Sequence, residues 1–120
     1  MVTYAEERSS TTQFELGELF DKGKPSQRDY SQAFNWYRQA AQKGSRRAQH
    51  RLATMYARGQ GVEQSMPKAY AWCKVAVFQN SRHARRKLKC IEARMCLDQL
   101  RRGRWLAQDF YDLYVVKRSD

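Results

Sequence analysis

With 120 residues and 14.2 kDa, the chain has room for one domain with a real core, and 42% hydrophobic against 29% charged side chains excludes a disordered polyelectrolyte. No apolar run approaches the roughly 18 residues of a membrane helix. The opening MVTYAEERSSTTQ also lacks the basic-then-apolar order of a signal peptide, so a cytoplasmic protein is expected. A net charge of +11 points to an acidic or polyanionic partner.

Residues 1–11 are polar and read as loosely ordered. Thr12 with Glu15 has the spacing of a capping box, Phe14, Leu16, Leu19 and Phe20 follow as an apolar helix face, and Gly23 suits the left-handed position after the helix. The loop 24–28 cannot continue that helix through Pro25. Asp29 with Gln32 opens a second helix, with Tyr30, Ala33, Phe34, Tyr37, Ala40 and Ala41 at helical spacing, and Gly44 stops it. Ser45 caps a third, with Ala48, Leu52, Met55 and Tyr56 inward and an end near Gly59. Gly59-Gln60-Gly61-Val62 is a turn. Pro67 suits the first turn of a fourth helix lined by Ala69, Tyr70, Cys73, Ala76 and Val77. Ser81 caps a fifth. Because no further glycine arrives until Gly103, this helix is predicted over 82–102, with a sixth over 104–117 carrying Leu106, Phe110 and Leu113 on one stripe. Ala93, Cys96, Leu97 and Leu100 would receive that last helix as a cap.

The elements repeat. At an offset of 36 residues, Leu16 falls on Leu52, Leu19 on Met55, Gly23 on Gly59, Ala33 on Ala69, Trp36 on Trp72, Ala40 on Ala76 and Ala48 on Ala84. A gapless period of this length marks a stacked-repeat architecture, in which one hairpin cannot bury its own apolar face. The small alanines allow close helix approach, and Trp36 and Trp72 are expected to pack between units. Trp105 lies outside the repeat and is expected to be partly exposed.

The run Leu16-Gly17-Glu18-Leu19-Phe20, Gly23, Ala33-Phe34-Asn35-Trp36-Tyr37, Gly44 and Ala48-Gln49 resembles the Sel1-like repeat family of tetratricopeptide-like helical repeats. It resumes in Leu52-Ala53-Thr54-Met55-Tyr56, Gly59-Gln60-Gly61-Val62 and Lys68-Ala69-Tyr70-Ala71-Trp72. Tetratricopeptide repeats proper are shorter and lack the Gly-x-Gly-Val turn. The resemblance implies an all-α, right-handed solenoid of antiparallel hairpins that serves as a scaffold for other proteins. It divides the single domain 1–120 into repeat 1 (about 14–49), repeat 2 (about 50–85) and a capping helix pair (about 86–117). Some secreted bacterial members of the family pair cysteines within each repeat, a pairing missing here.

Charge is unevenly placed. Residues 1–30 hold four basic and six acidic side chains, residues 31–120 nineteen and six. Positions 47, 51, 54 and 58 share one helix face, and 83, 87, 90 and 94 are their repeat counterparts. Stacking should therefore set Arg47, Arg51 and Arg58 beside His83, Lys87 and Arg94 as a basic stripe for a partner. In the first hairpin the same positions are Thr11, Glu15, Glu18 and Lys22, so the stripe fades there. Arg82, Arg85, Arg86 and Lys89 form a second basic patch. The plainer reading is that these side chains are solvated and favour helicity.

The expected function is a non-enzymatic adaptor, bacterial and regulatory, whose basic face takes an acidic protein surface or peptide. The alternative is a nucleic-acid or ribosome-associated basic protein, supported by net charge and the run 82–89 but by no recognised motif. Neither His50 nor His83 has a carboxylate or nucleophile at a useful spacing, so no catalytic, metal or cofactor site is expected. Cys73, Cys90 and Cys96 are odd in number without CxxC spacing and are expected to be reduced core thiols. Two repeats and a cap are close to the minimum for a stack, and a homodimer through the Phe14 and Phe20 end would supply further cover.

Overall fold

The computed structural model describes residues 10–23 and 29–116. These form α1 (Ser10–Lys22), α2 (Tyr30–Gln42), α3 (Arg46–Arg58), α4 (Met66–Phe78), α5 (Arg82–Ala93) and α6 (Leu97–Tyr111), ending in a π-helical turn (Asp112–Val116). No strand occurs among the described residues. The segments 1–9 and 24–28, with the Pro25 loop, and the predicted end of the last helix at 117 lie outside them.

Polar caps set the starts of the middle helices. Backbone amides of Gln32, Ala48, Lys68 and Ala84 donate to the side-chain oxygens of Asp29, Ser45, Ser65 and Ser81 at 3.1–3.3 Å. Such a cap contributes about 1 kcal/mol. The α3–α4 turn needs its two glycines. Gly59 and Gly61 both take positive φ (69° and 73°), and a Cβ at Gly61 would overlap the Tyr30 carbonyl at the start of α2.

α1 packs on α2 and α3 on α4 as hairpins, with α2 against α3 and α4 against α5 joining the units. The core is built as the repeat requires. Ala33, Ala40, Ala41, Ala48, Leu52, Ala53, Ala69 and Ala76 have no exposed surface. Methyl-sized side chains at the crossings let the backbones approach, and Phe34 meets Tyr56 edge-on at 5.4 Å across the α2–α3 junction.

Four expectations need correction. α1 spans Ser10–Lys22, so Thr12 and Glu15 lie within the helix and do not cap it, and Ser10 and Thr11 are helical, not loosely ordered. The fifth helix stops at Ala93, nine residues early. Cys96 takes an extended conformation and starts α6, its amide capped by Gln99 Oε1 at 3.1 Å. Gly103 is therefore no stop signal; it sits inside α6, where a Cβ would come 2.8 Å from the Tyr70 ring. The cap also closes differently. α6 lies along α4 through Gly103 and Ala107, while Ala93, Cys96, Leu97 and Leu113 are exposed. Trp72 is covered by Phe110 (centroids 4.7 Å apart) and by Tyr114 of the π turn (5.5 Å).

The remaining tryptophans differ. Trp36 is half-buried and Trp105 is 69% exposed. Of the thiols only Cys73 is in the core; Cys90 and Cys96 are exposed, contrary to expectation, because Cys90 opens onto the α3–α5 face and Cys96 stands at the start of α6. At the end where a homodimer is expected, Phe14 is buried and the exposed apolar residue is Leu19.

Candidate functional site

α3 and α5 lie side by side as the first helices of successive units, and the structure gathers the six stripe residues into two groups. Near the N-terminal ends, Arg47, Arg51 and His83 border a cleft of about 780 Å³, together with Arg46, His50 and Arg82. Phe14 of α1 and Asn80 and Ser81 complete its lining. Near the C-terminal ends, Arg58, Lys87 and Arg94 border a smaller cleft of about 130 Å³ with Thr54, Ala57 and Cys90. Among the described residues, no carboxylate lines either one. Of the second patch only Arg82 reaches a cleft; Arg85, Arg86 and Lys89 are exposed on the remaining side of α5.

Local conformation gives the large cleft a positive character. Asn80 occupies the left-handed region (φ 67°) where the preceding unit uses Gly44, and this sharp turn delivers Ser81 as the cap of α5. The positive end of the α5 dipole thus opens onto the rim. The Arg46 guanidinium donates to the Gln79 carbonyl at 3.0 Å, which holds its charge at the cleft edge. The Arg47 guanidinium lies 4.3 Å from the centroid of the Phe14 ring, an attraction between cation and π-face that also shields the ring from water.

Arg51 has another role. It pairs with Glu18 (3.2 Å) and Asp21 (3.3 Å) of α1 and donates to the Tyr37 hydroxyl (3.0 Å), which itself donates to Asp21 (2.9 Å). Burial first, then the bond to Asp21, pushes the Tyr37 phenol far above its ordinary 10. Arg51 therefore ties three helices together and is already neutralised from within the chain. Lys22 adds a second cation to Glu18 at 3.2 Å.

The two histidines, unpaired in the sequence, meet in space with ring centroids 6.1 Å apart. Burial, reinforced by Lys87, Arg51 and His83, lowers His50 from its ordinary 6.5 to about 4, so it is neutral at pH 7. Sequence reasoning missed Arg46, His50 and Asn80. Arg46 was findable, since it is the repeat counterpart of Arg82, but the contribution of Phe14 came from a packing contact with no sequence signal. Burial pushes the Cys73 thiol up to about 12, and it donates to the Ala84 carbonyl at 3.1 Å; it is a packed hydrogen-bond donor and not a nucleophile at neutral pH.

Comparison with known proteins agrees with this architecture. A protective antigen present in uropathogenic Escherichia coli strains, described as displaying an SLR fold, superposes with a TM-score of 0.87 at 28% identity. The match covers 96% of this chain but only 25% of that one, so this chain spans a quarter of that protein's length. A Sel1 repeat protein from Oxalobacter formigenes superposes with a TM-score of 0.69 at 22% identity, covering 97% of this chain and 87% of that one, and shows the fold alone. No curated relative matches the sequence. Proteins built from Sel1 repeats are non-catalytic scaffolds that generally mediate protein–protein interaction. The Sel1 repeat model matches residues 10–45 and again 46–81, abutting and without a gap, and with more than half its length accounted for the chain belongs to the Sel1 repeat family.

Proposed function

We propose that this protein is a non-enzymatic adaptor, bacterial, regulatory and cytoplasmic, whose α3–α5 face receives an acidic segment of a protein partner. The observation that carries the proposal is the large cleft, lined by Arg46, Arg47, Arg82 and Phe14 with no carboxylate from the described residues. Cations grouped in a cleft backed by a buried ring suit an acidic peptide, whose carboxylates meet the guanidiniums. On repeat units of about 14–49 and 50–85 and a cap of about 86–117, the face crosses both boundaries, from Arg46 and Arg47 through Arg58 and Arg82 to Lys87 and Arg94.

A short fluorescein-labelled polyglutamate peptide, titrated by anisotropy against the purified chain, tests the reading. Binding is expected, weakened in Arg47→Glu/Arg82→Glu by about a hundredfold, the effect of reversing two partly desolvated charges. Arg51→Glu is unsuitable, because it would break the α1–α3 tie. A single-stranded oligonucleotide of equal charge provides the opposing arm. Tighter and more steeply salt-dependent binding of the oligonucleotide than of the peptide would replace the adaptor by a nucleic-acid-binding protein.

A further inference from the structure

The two units are not equivalent at one position, and the difference defines a ligand. In the first unit Glu18 sits between two cations, Lys22 one turn along its own helix and Arg51 from the next unit's first helix, each 3.2 Å away. Advancing each residue by one 36-residue repeat gives Thr54, Arg58 and Lys87. Those three residues border the small cleft together, so the three positions still converge while the carboxylate has been lost. The second carboxylate on Arg51 has gone as well, since the counterpart of Asp21 is Ala57. Arg94 adds a third cation from the end of α5.

We infer that this small cleft is a carboxylate-binding notch, in which a glutamate or aspartate side chain of a partner bridges Arg58 and Lys87 as Glu18 bridges Lys22 and Arg51. Among the described residues, Arg58, Lys87 and Arg94 make no ion pair. The threonine that replaces the glutamate turns its hydroxyl to the His50 carbonyl at 3.3 Å and offers the cations no charge. A volume of about 130 Å³ takes one acidic side chain and not a chain segment, so the notch reads a single residue beside the peptide held in the larger cleft. The internal precedent is a carboxylate, which favours an acidic side chain over a phosphate diester. The inference rests on the adaptor reading and adds to it a defined acidic position in the partner.

Thr54→Glu supplies the missing carboxylate within the chain. It should raise the melting temperature and weaken the labelled polyglutamate peptide by about tenfold, the worth of one charged hydrogen bond. Thr54→Gln has the same bulk without the charge; it should leave the melting temperature unraised and cost the peptide less than about threefold. Peptide binding that is lost in Arg47→Glu/Arg82→Glu but unchanged in Thr54→Glu overturns the notch and leaves the adaptor standing. A wild-type chain that ignores the peptide overturns both, and equal weakening by Thr54→Gln and Thr54→Glu assigns the effect to bulk and overturns the notch alone.

Discussion

Gly17→Ala sets two opposing effects against each other at a site where the structure decides the winner. Gly17 lies within α1, and alanine in place of glycine at a helix interior contributes about 1 kcal/mol through propensity alone. The added Cβ, however, would stand 2.6 Å from two carbons of the Tyr37 ring. That ring has no exposed surface and cannot swing away, because its hydroxyl is held by Asp21 at 2.9 Å and by Arg51 at 3.0 Å. Relief requires α1 to shift, at about 1–3 kcal/mol for overpacking, together with weakening of a charged hydrogen bond worth about 1.5–3 kcal/mol. The expected balance is a loss of roughly 1–3 kcal/mol, or a melting temperature lower by roughly 4–12 °C in a domain of this size. The second unit shows the alternative solution: Ala53 and Cys73 hold the positions of Gly17 and Tyr37, small against small. In a Tyr37→Cys background, measured by denaturant unfolding at low temperature, Gly17→Ala should therefore become stabilising by up to about 1 kcal/mol. A substitution that stabilises equally in both backgrounds would refute the steric argument.

Two further outcomes follow from the site. His50 titrates at 6.5 unfolded and about 4 folded, so between these values the unfolded chain binds the extra proton and stability falls as pH falls; above 6.5 the contribution is fully present. Chemical denaturation across that window should show a shallower loss for His50→Gln than for wild type, and identical slopes would contradict the burial of this imidazole. The native chain should react rapidly with Ellman's reagent at Cys90 and Cys96 and slowly at Cys73, whose thiol is buried and raised to about 12. Full, single-phase reaction of all three thiols before unfolding would contradict the packing of α4 on α5.

The parts of the fold that could be read in advance are those decided by neighbours in sequence. Asp29, Ser45 and Ser81 cap through an amide three residues on, and Gly59 and Gly61 obey backbone sterics, so each is local. The repeat register then carries the inward faces with it. The break at 94–96 is different: Arg94-Met95-Cys96 contains neither glycine nor proline, and α5 ends there because Gly103, Ala107 and Phe110 are drawn onto Tyr70 and Trp72 of α4. A tertiary contact overrode a continuous helical pattern. The same glycine that looks like a stop in one dimension is a notch for a ring in three. At the site, spacing put the six stripe residues on the cleft side of α3 and α5, yet could not show that Arg51 faces two carboxylates across helices thirty residues apart in sequence.

The distribution of charge argues against simple solvation as the whole explanation for the basic face. Solvated cations could be scattered or paired without consequence, but here pairing is graded along the stack. In the first unit Glu18 and Asp21 neutralise Arg51 and bind the helices together. From α3 onward the acids move away: Asp98, Asp109 and Asp112 lie on α6 and its π turn, Asp120 falls beyond the described residues, and only Glu63 and Glu92 remain between 46 and 96. Neither lines a cleft. The first junction thus uses its ion pairs for cohesion, while at the second, among the described residues, Arg58, Lys87 and Arg94 make no ion pair and Leu52, Ala76, Ala84 and Leu88 supply apolar contact. A junction held by apolar contact can keep its cations available, and that division of labour supports the proposal that an acidic partner docks on α3 and α5, away from α1.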